Sequence, residues 1–160
     1  METTPTDVLL DANLLLFLAI GQFDLRLIGR KRLDIYTTSD FALLARLIER
    51  YQRNRTTPHL LTEVSNLADQ CVPKSRHREF RSFLADLVKL LDENRVRAEE
   101  LCATEEFNQL GLADAAITRL ADEQTVVFSV DAELCNVLWG RGVNAENFNH
   151  LRDRSDSNGP

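Results

Sequence analysis

Cysteine is scarce in this 160-residue chain: Cys71, Cys102 and Cys135 stand far apart, odd in number and outside any CxxC pair. Such a set excludes a disulfide framework and a thiolate zinc site, and it fits a reducing cytosol. Each is expected as a buried free thiol, since free Cys behaves as a small hydrophobe. Neither GxxxxGK[ST] nor GxGxxG occurs, so neither a P-loop nor a dinucleotide site is proposed. His59, His77 and His150 share no metal-ligand spacing, and no serine sits in a hydrolase motif with a His partner. Long apolar runs are missing as well. Leu14 to Ile20 is too short to span a bilayer, Asp11 and Asn13 interrupt it, and Glu2 and Asp7 stand where a secretory leader carries cations. A cytoplasmic protein without a membrane segment is expected.

An excess of positive charge is lacking too. The net charge of −6 argues against a general electrostatic grip on nucleic acid, which relies on Lys and Arg to neutralise phosphates. Local clusters differ from the total: Arg26, Arg30, Lys31 and Arg32; Arg50, Arg53 and Arg55; Lys74, Arg76, His77, Arg78 and Arg81. Each is either a border of a binding cleft or a solvated helix face.

What is present is the composition of an ordinary globular domain, 44% hydrophobic and 28% charged. A chain of this size buries enough surface to need no staple. One domain over residues 1–151 is expected, followed by a disordered tail at 152–160, where RDRSDSNGP has no apolar content.

Val8 to Leu10 and the β-branched run from Thr125 to Val130 read as buried parallel strands, ending in Asp11 and Asp131. Helical spacing predicts a helix from Thr38 or Ser39 to about Asn54, and one after Pro58 with Thr57 as its cap. Further helices are expected from Ser75, over Glu99 to Gln109, from Leu112 to Ala121 and from Ala132 to Trp139, with an edge strand at Asn147 to Leu151. Trp139 and Phe128 are expected in the core. Strands alternating with helices imply an α/β fold, with a parallel sheet covered on both faces and a crevice at the carboxyl ends of the strands.

Four carboxylates gather attention in that frame: Asp11 in VLLDANLLL, Glu63 in TPHLLTEVSNL, Asp114 in GLADAAI and Asp131 in VVFSVD. Three lie in apolar runs, where an ionised carboxylate is costly unless a cation or hydrogen bonds compensate. Taken singly, each is a turn residue, a helix-start charge or a solvated helix residue. Together they suit one or two hard divalent cations, which take oxygen ligands and act on phosphodiesters. Asn13 either orients Asp11 or caps the following helix. Ser129 either hydrogen-bonds a ligand carboxylate or is an idle strand-end hydroxyl.

The ordered set DxN, TExxN, GxxDA and [ST]xD, completed by GVNAENFNHL, resembles the PIN-domain nuclease family, including the VapC-like toxins of toxin-antitoxin modules. The resemblance spans roughly Val8 to Leu151. It implies a three-layer α/β/α sandwich with a central parallel sheet and Mg²⁺- or Mn²⁺-dependent hydrolysis of RNA. Asp11, Glu63, Asp114 and Asp131 are implied as the metal-binding and catalytic acids, with Asn13 and Ser129 in support. It also implies an antitoxin protein as partner, and exposed apolar positions on the amino-terminal helices would permit a homodimer. The stretch from Gly21 to Thr38, with its basic RLIGRKR, departs from the toxin branch.

Two other readings compete. A haloacid-dehalogenase-type phosphatase also opens on a strand-end Asp, but it needs a second Asp where Asn13 stands, and an amide is no general acid. A non-enzymatic reading keeps the fold as an RNA- or partner-binding module.

Overall fold

The computed structural model describes residues 4–159. Strand β1 (Asp7–Leu10) is buried along its whole length and leads directly into α1 (Ala12–Phe23). That helix is apolar on nearly every side, the mark of a helix enclosed by its neighbours. Leu14 to Ile20 are all buried, and the helix packs against α2 (Thr38–Ile48), α3 (Pro58–Ala68) and α4 (His77–Val88). At roughly 1.5–3 kcal/mol per buried large aliphatic or aromatic side chain, α1 is the main apolar contribution to the core. Phe17 at its centre stacks on Tyr36, with ring centroids 4.3 Å apart, and meets Phe41 edge-on at 6.0 Å.

Strands β2 (Arg53–Thr56) and β3 (Asp92–Glu93) lie on one side of β1, and β4 (Thr125–Ser129) and β5 (Ala145–Asn147) on the other. The order β3-β2-β1-β4-β5 is parallel throughout, and helices cover both faces, giving the three-layer α/β/α sandwich expected. The chain builds outward from β1 in one direction and then returns to build in the other. The carboxyl ends of β1 and β4 therefore meet at the point where strand order reverses, the place where open α/β sheets bind ligands. Leu10 pairs with Phe128, and the Asp11 N–H extends the ladder to the Phe128 carbonyl at 3.1 Å.

Several elements differ from the sequence reading. The helix expected to reach Asn54 stops at Ile48, capped at its start by a box between Thr37 and Asp40. Residues 53–56 instead form β2, because tertiary partners satisfy its charges. Arg53 clamps Asp7 at 3.0 and 2.7 Å, and Arg55 reaches Asn94, the Leu120 carbonyl, Asp122 and Thr125. The helix expected over 99–109 is two, α5 (Ala98–Cys102) and α6 (Glu105–Leu110), since the Thr104 side chain caps a new start.

The expected edge strand at 147–151 ends at Asn147, whose side chain accepts from the Asn149 N–H and opens α9 (Phe148–Ser157). The tail expected to be disordered is helical as far as Ser157. Phe148 anchors it in the core, and Arg152 donates to the Ile35 carbonyl and to Asp40. Phe128 is core as expected, whereas Trp139 is 46% exposed, its indole N–H donating to the Ala145 carbonyl. Cys71 and Cys135 are buried, but Cys102, at the end of the short α5, is exposed. Among the described residues no helix is long and apolar enough to cross a membrane.

Candidate metal centre

Asp11 sits at the end of β1 with 3% of its surface exposed, and it is surrounded by donors. Oδ1 accepts the Leu14 N–H at 2.8 Å as the N-cap of α1. Oδ2 accepts the Ser129 hydroxyl at 2.5 Å and the Val130 N–H at 2.9 Å. Both lone-pair directions of Oδ2 are thus filled, and Oδ1 keeps one for a ligand. Burial pushes this carboxyl above the usual range, against the three hydrogen bonds that favour its charge.

Asp131, two residues beyond β4, caps α8 (Ala132–Gly140). Its Oδ1 accepts from Glu133 and Leu134, which leaves Oδ2 uncommitted. Its own N–H donates to Ser129 Oγ at 2.9 Å, so the buried serine hydroxyl couples the two strand-end acids. Below them, the Cys135 thiol is pushed up to about 11 by burial and by the nearby Asp11 and Asp131 charges, which makes it inert at neutral pH.

Asp114 lies in the first turn of α7 (Leu112–Leu120). Gly111 enters that helix at φ 88°, a left-handed backbone that glycine adopts without strain. The Asp114 carboxyl is pushed up to about 7, first by burial and then by the charges of Asp11, Asp131 and Glu63. Those three perturbing charges are the other three acids singled out in the sequence. Glu63 is exposed on α3, which packs against α7, and lines a cavity of about 460 Å³ with His59, Asn66 and Leu112.

Four segments distant in sequence therefore bring their carboxylates to one electrostatic neighbourhood at the strand switch point. Asp11 and Asp131 are fixed by caps and by Ser129; Asp114 is strained by its neighbours; Glu63 stands at the rim. Among the described residues no three His, Cys, Asp or Glu side chains already close into a metal cage. The donor chemistry nonetheless fits a hard cation. All donors are oxygens, and Mg²⁺ usually keeps several waters while taking only one or two carboxylates.

Asn13 is exposed and lines a second cavity beside Val130, while Asp11, not Asn13, caps α1. Ser129, for which spacing left two roles open, hydrogen-bonds the Asp11 carboxylate. Asn66, the last residue of TExxN, carries no role in the sequence reading, yet its place one helical turn from Glu63 puts it on the same cavity wall.

The basic clusters separate on ion pairing. Arg53 binds Asp7 at the opposite end of β1 from Asp11, and Arg26 and Arg76 share Asp24. Arg81 pairs with Asp69.

The class these features define is an α/β sandwich with an acidic centre at its strand switch point. No protein-family model matches the chain, and no curated protein is significantly similar to it.

Proposed function

We propose that this protein is a divalent-metal-dependent ribonuclease of the PIN type that hydrolyses RNA phosphodiester bonds in the cytoplasm. The observation that carries the reading is the joining of Asp11 and Asp131 through Ser129 at the sheet's switch point, beside Asp114, whose carboxyl is pushed up to about 7 by burial and by the charges of Asp11, Asp131 and Glu63. Strongly perturbed acids in a crevice mark functional sites, and an acid cluster of this kind gains stability when a cation neutralises it. The order of the DxN, TExxN, GxxDA and SxD motifs supports the same reading.

When bound, Mg²⁺ or Mn²⁺ supplies an activated water and neutralises charge developing on the phosphate. The chain's own residues do the rest. Asp11 would offer Oδ1 and Asp131 would offer Oδ2 as fixed ligands. Asp114 would give up its proton to join them, and Glu63 would close the shell from α3. Ser129 would position Asp11 by donating to Oδ2. In a toxin-antitoxin module, a protein antitoxin would silence such a centre by burying a segment in the crevice and pairing Arg with the acids. The exposed Leu25 would serve a homodimer.

One observation favours a second reading, a PIN-like module that binds RNA or a protein without cutting: no three acids among the described residues close into a ready cage. Incubating wild-type and Asp11→Asn protein with a mixed structured-RNA pool in Mg²⁺, Mn²⁺ or EDTA separates the two. The ribonuclease reading expects metal-dependent cutting that the variant loses. RNA binding without cutting by the wild type would favour the module.

A further inference from the structure

Resting on the ribonuclease reading, we propose that the cavity beside Asp11 walled by Asn13, Arg32 and Tyr36 is a phosphate subsite, which holds the RNA backbone next to the scissile bond. The cavity is about 280 Å³ and includes Asn13, two residues after Asp11, and Val130, whose N–H donates to Asp11 Oδ2, so it lies beside Asp11. Its volume lies at the small end for ligand pockets and suits a phosphate with its ribose better than a whole nucleotide.

Three observations assign its chemistry. First, Arg32 is uncommitted. Arg26, Arg53, Arg55, Arg76, Arg81 and Arg152 are each paired with a carboxylate, and of the arginines without such a pair among the described residues, which include Arg30, Arg50 and Arg119, Arg32 is the one that lines this cavity. Arg32 forms no ion pair among the described residues, only a long 3.5 Å contact with Gln70. Arg32 is an exposed guanidinium on the wall of a cavity otherwise lined by Asn13, Tyr36 and aliphatic side chains, and it is the cavity's one cationic group, free to take a phosphate.

Second, the backbone is shaped to put it there. Lys31 adopts φ 52°, the left-handed region that costs a non-glycine residue energy, and Gly29 at φ 81° precedes it. The short turn Lys31–Leu33 that presents Arg32 is held by Leu33, which is buried.

Third, Tyr36 is not available for base stacking. Phe17 covers one side of its ring at 4.3 Å, and the Arg152 guanidinium lies over it at 4.9 Å. What remains for the cavity is the ring edge with its hydroxyl, so Tyr36 does not read a base by stacking. A cation in this position also answers an electrostatic need, because a chain of net charge −6 with four gathered acids repels RNA unless a local positive group draws the backbone in.

The test is fluorescence anisotropy with a labelled single-stranded RNA of about ten nucleotides, in EDTA and in Ca²⁺. Wild-type protein is compared with Arg32→Ala, Arg32→Lys, Tyr36→Phe and the exposed control Arg78→Ala. Arg32→Ala should weaken binding roughly tenfold and lower the salt slope by about 0.7. Arg32→Lys should keep most of the slope, Tyr36→Phe should bind more weakly than wild type, and Arg78→Ala should match wild type. Arg32→Ala binding like Arg78→Ala, in a wild-type protein that still cleaves RNA in Mg²⁺, would overturn the subsite and leave the nuclease reading standing. A wild-type protein that neither binds nor cleaves RNA would overturn both.

Discussion

Ser129 donates its hydroxyl to Asp11 Oδ2 at 2.5 Å while accepting the Asp131 N–H at 2.9 Å, so one buried side chain joins the ends of β1 and β4. Ser129→Ala removes a donor that favours the Asp11 carboxylate and leaves burial opposed only by the Leu14 and Val130 N–H groups. Outer partners of metal ligands are typically worth 10- to 100-fold in affinity. Mn²⁺ binding to Ser129→Ala should therefore weaken by about that factor, while Ser129→Thr, which keeps the hydroxyl, should stay near wild type. Isothermal titration calorimetry reads the difference; equal affinities for the Ala and Thr variants would remove Ser129 from the centre.

The Asp114 carboxyl gives stability a pH dependence of defined sign. Its ordinary value of 3.8 is raised to about 7 in the fold, so between those values the native state holds more protons than the unfolded chain. Stability then falls as pH rises through that window and levels off above it. In EDTA at pH 8, Asp114→Asn should be more stable than wild type by an amount on the order of 1–3 kcal/mol, the full shift discounted for the carboxyl's partial exposure to solvent. The gap should vanish below about pH 4. Adding Mg²⁺ at pH 8 should raise the melting temperature of wild type more than that of the variant.

Arg55 carries stability rather than chemistry. Its side chain is 13% exposed and donates to Asn94, the Leu120 carbonyl, Asp122 and Thr125, tying β2 to the start of β4. Arg55→Ala removes the donor to four acceptors, of which Thr125 is fully buried, and should cost about 1–3 kcal/mol in urea unfolding. Metal affinity of the folded fraction should be unchanged, since these contacts lie away from the strand ends that bear the acids.

Gly21, near the end of α1, is buried against the Phe41 ring, and a Cβ there would overlap ring atoms. Replacing a helical glycine by alanine gains about 1 kcal/mol of propensity, whereas overpacking costs about 1–3 kcal/mol. The steric cost should win, and thermal unfolding of Gly21→Ala should show a net loss of about 1 kcal/mol. A stabilised variant would mean that Phe41 yields freely.

The legibility of these features in the sequence follows from their locality. Asp11 and Asp131 were readable because each ends a short apolar run, so strand, terminus and carboxylate appear together in a few residues. β2 was not, because RNRT looks like helix end or loop until Asp7 and Asp122 are placed beside its arginines. The carboxy-terminal helix escaped for a similar reason: its polar sequence is anchored by Phe148 and by the Arg152 bonds to Asp40 and Ile35. The nearness of Glu63 to Asp114 depends on the packing of α3 against α7, which no local pattern encodes. The fate of each basic cluster also depended on tertiary partners, which consume Arg53 and Arg76 and leave Arg32 open.

Mn²⁺ titration of wild type and of the single variants Asp11→Asn, Glu63→Gln, Asp114→Asn and Asp131→Asn asks whether four carboxylates from four segments act as one cation centre. The wild type should bind Mn²⁺, and each substitution should weaken it by roughly tenfold or more while the protein remains folded. No binding by the wild type, or binding untouched by all four substitutions, would contradict the account.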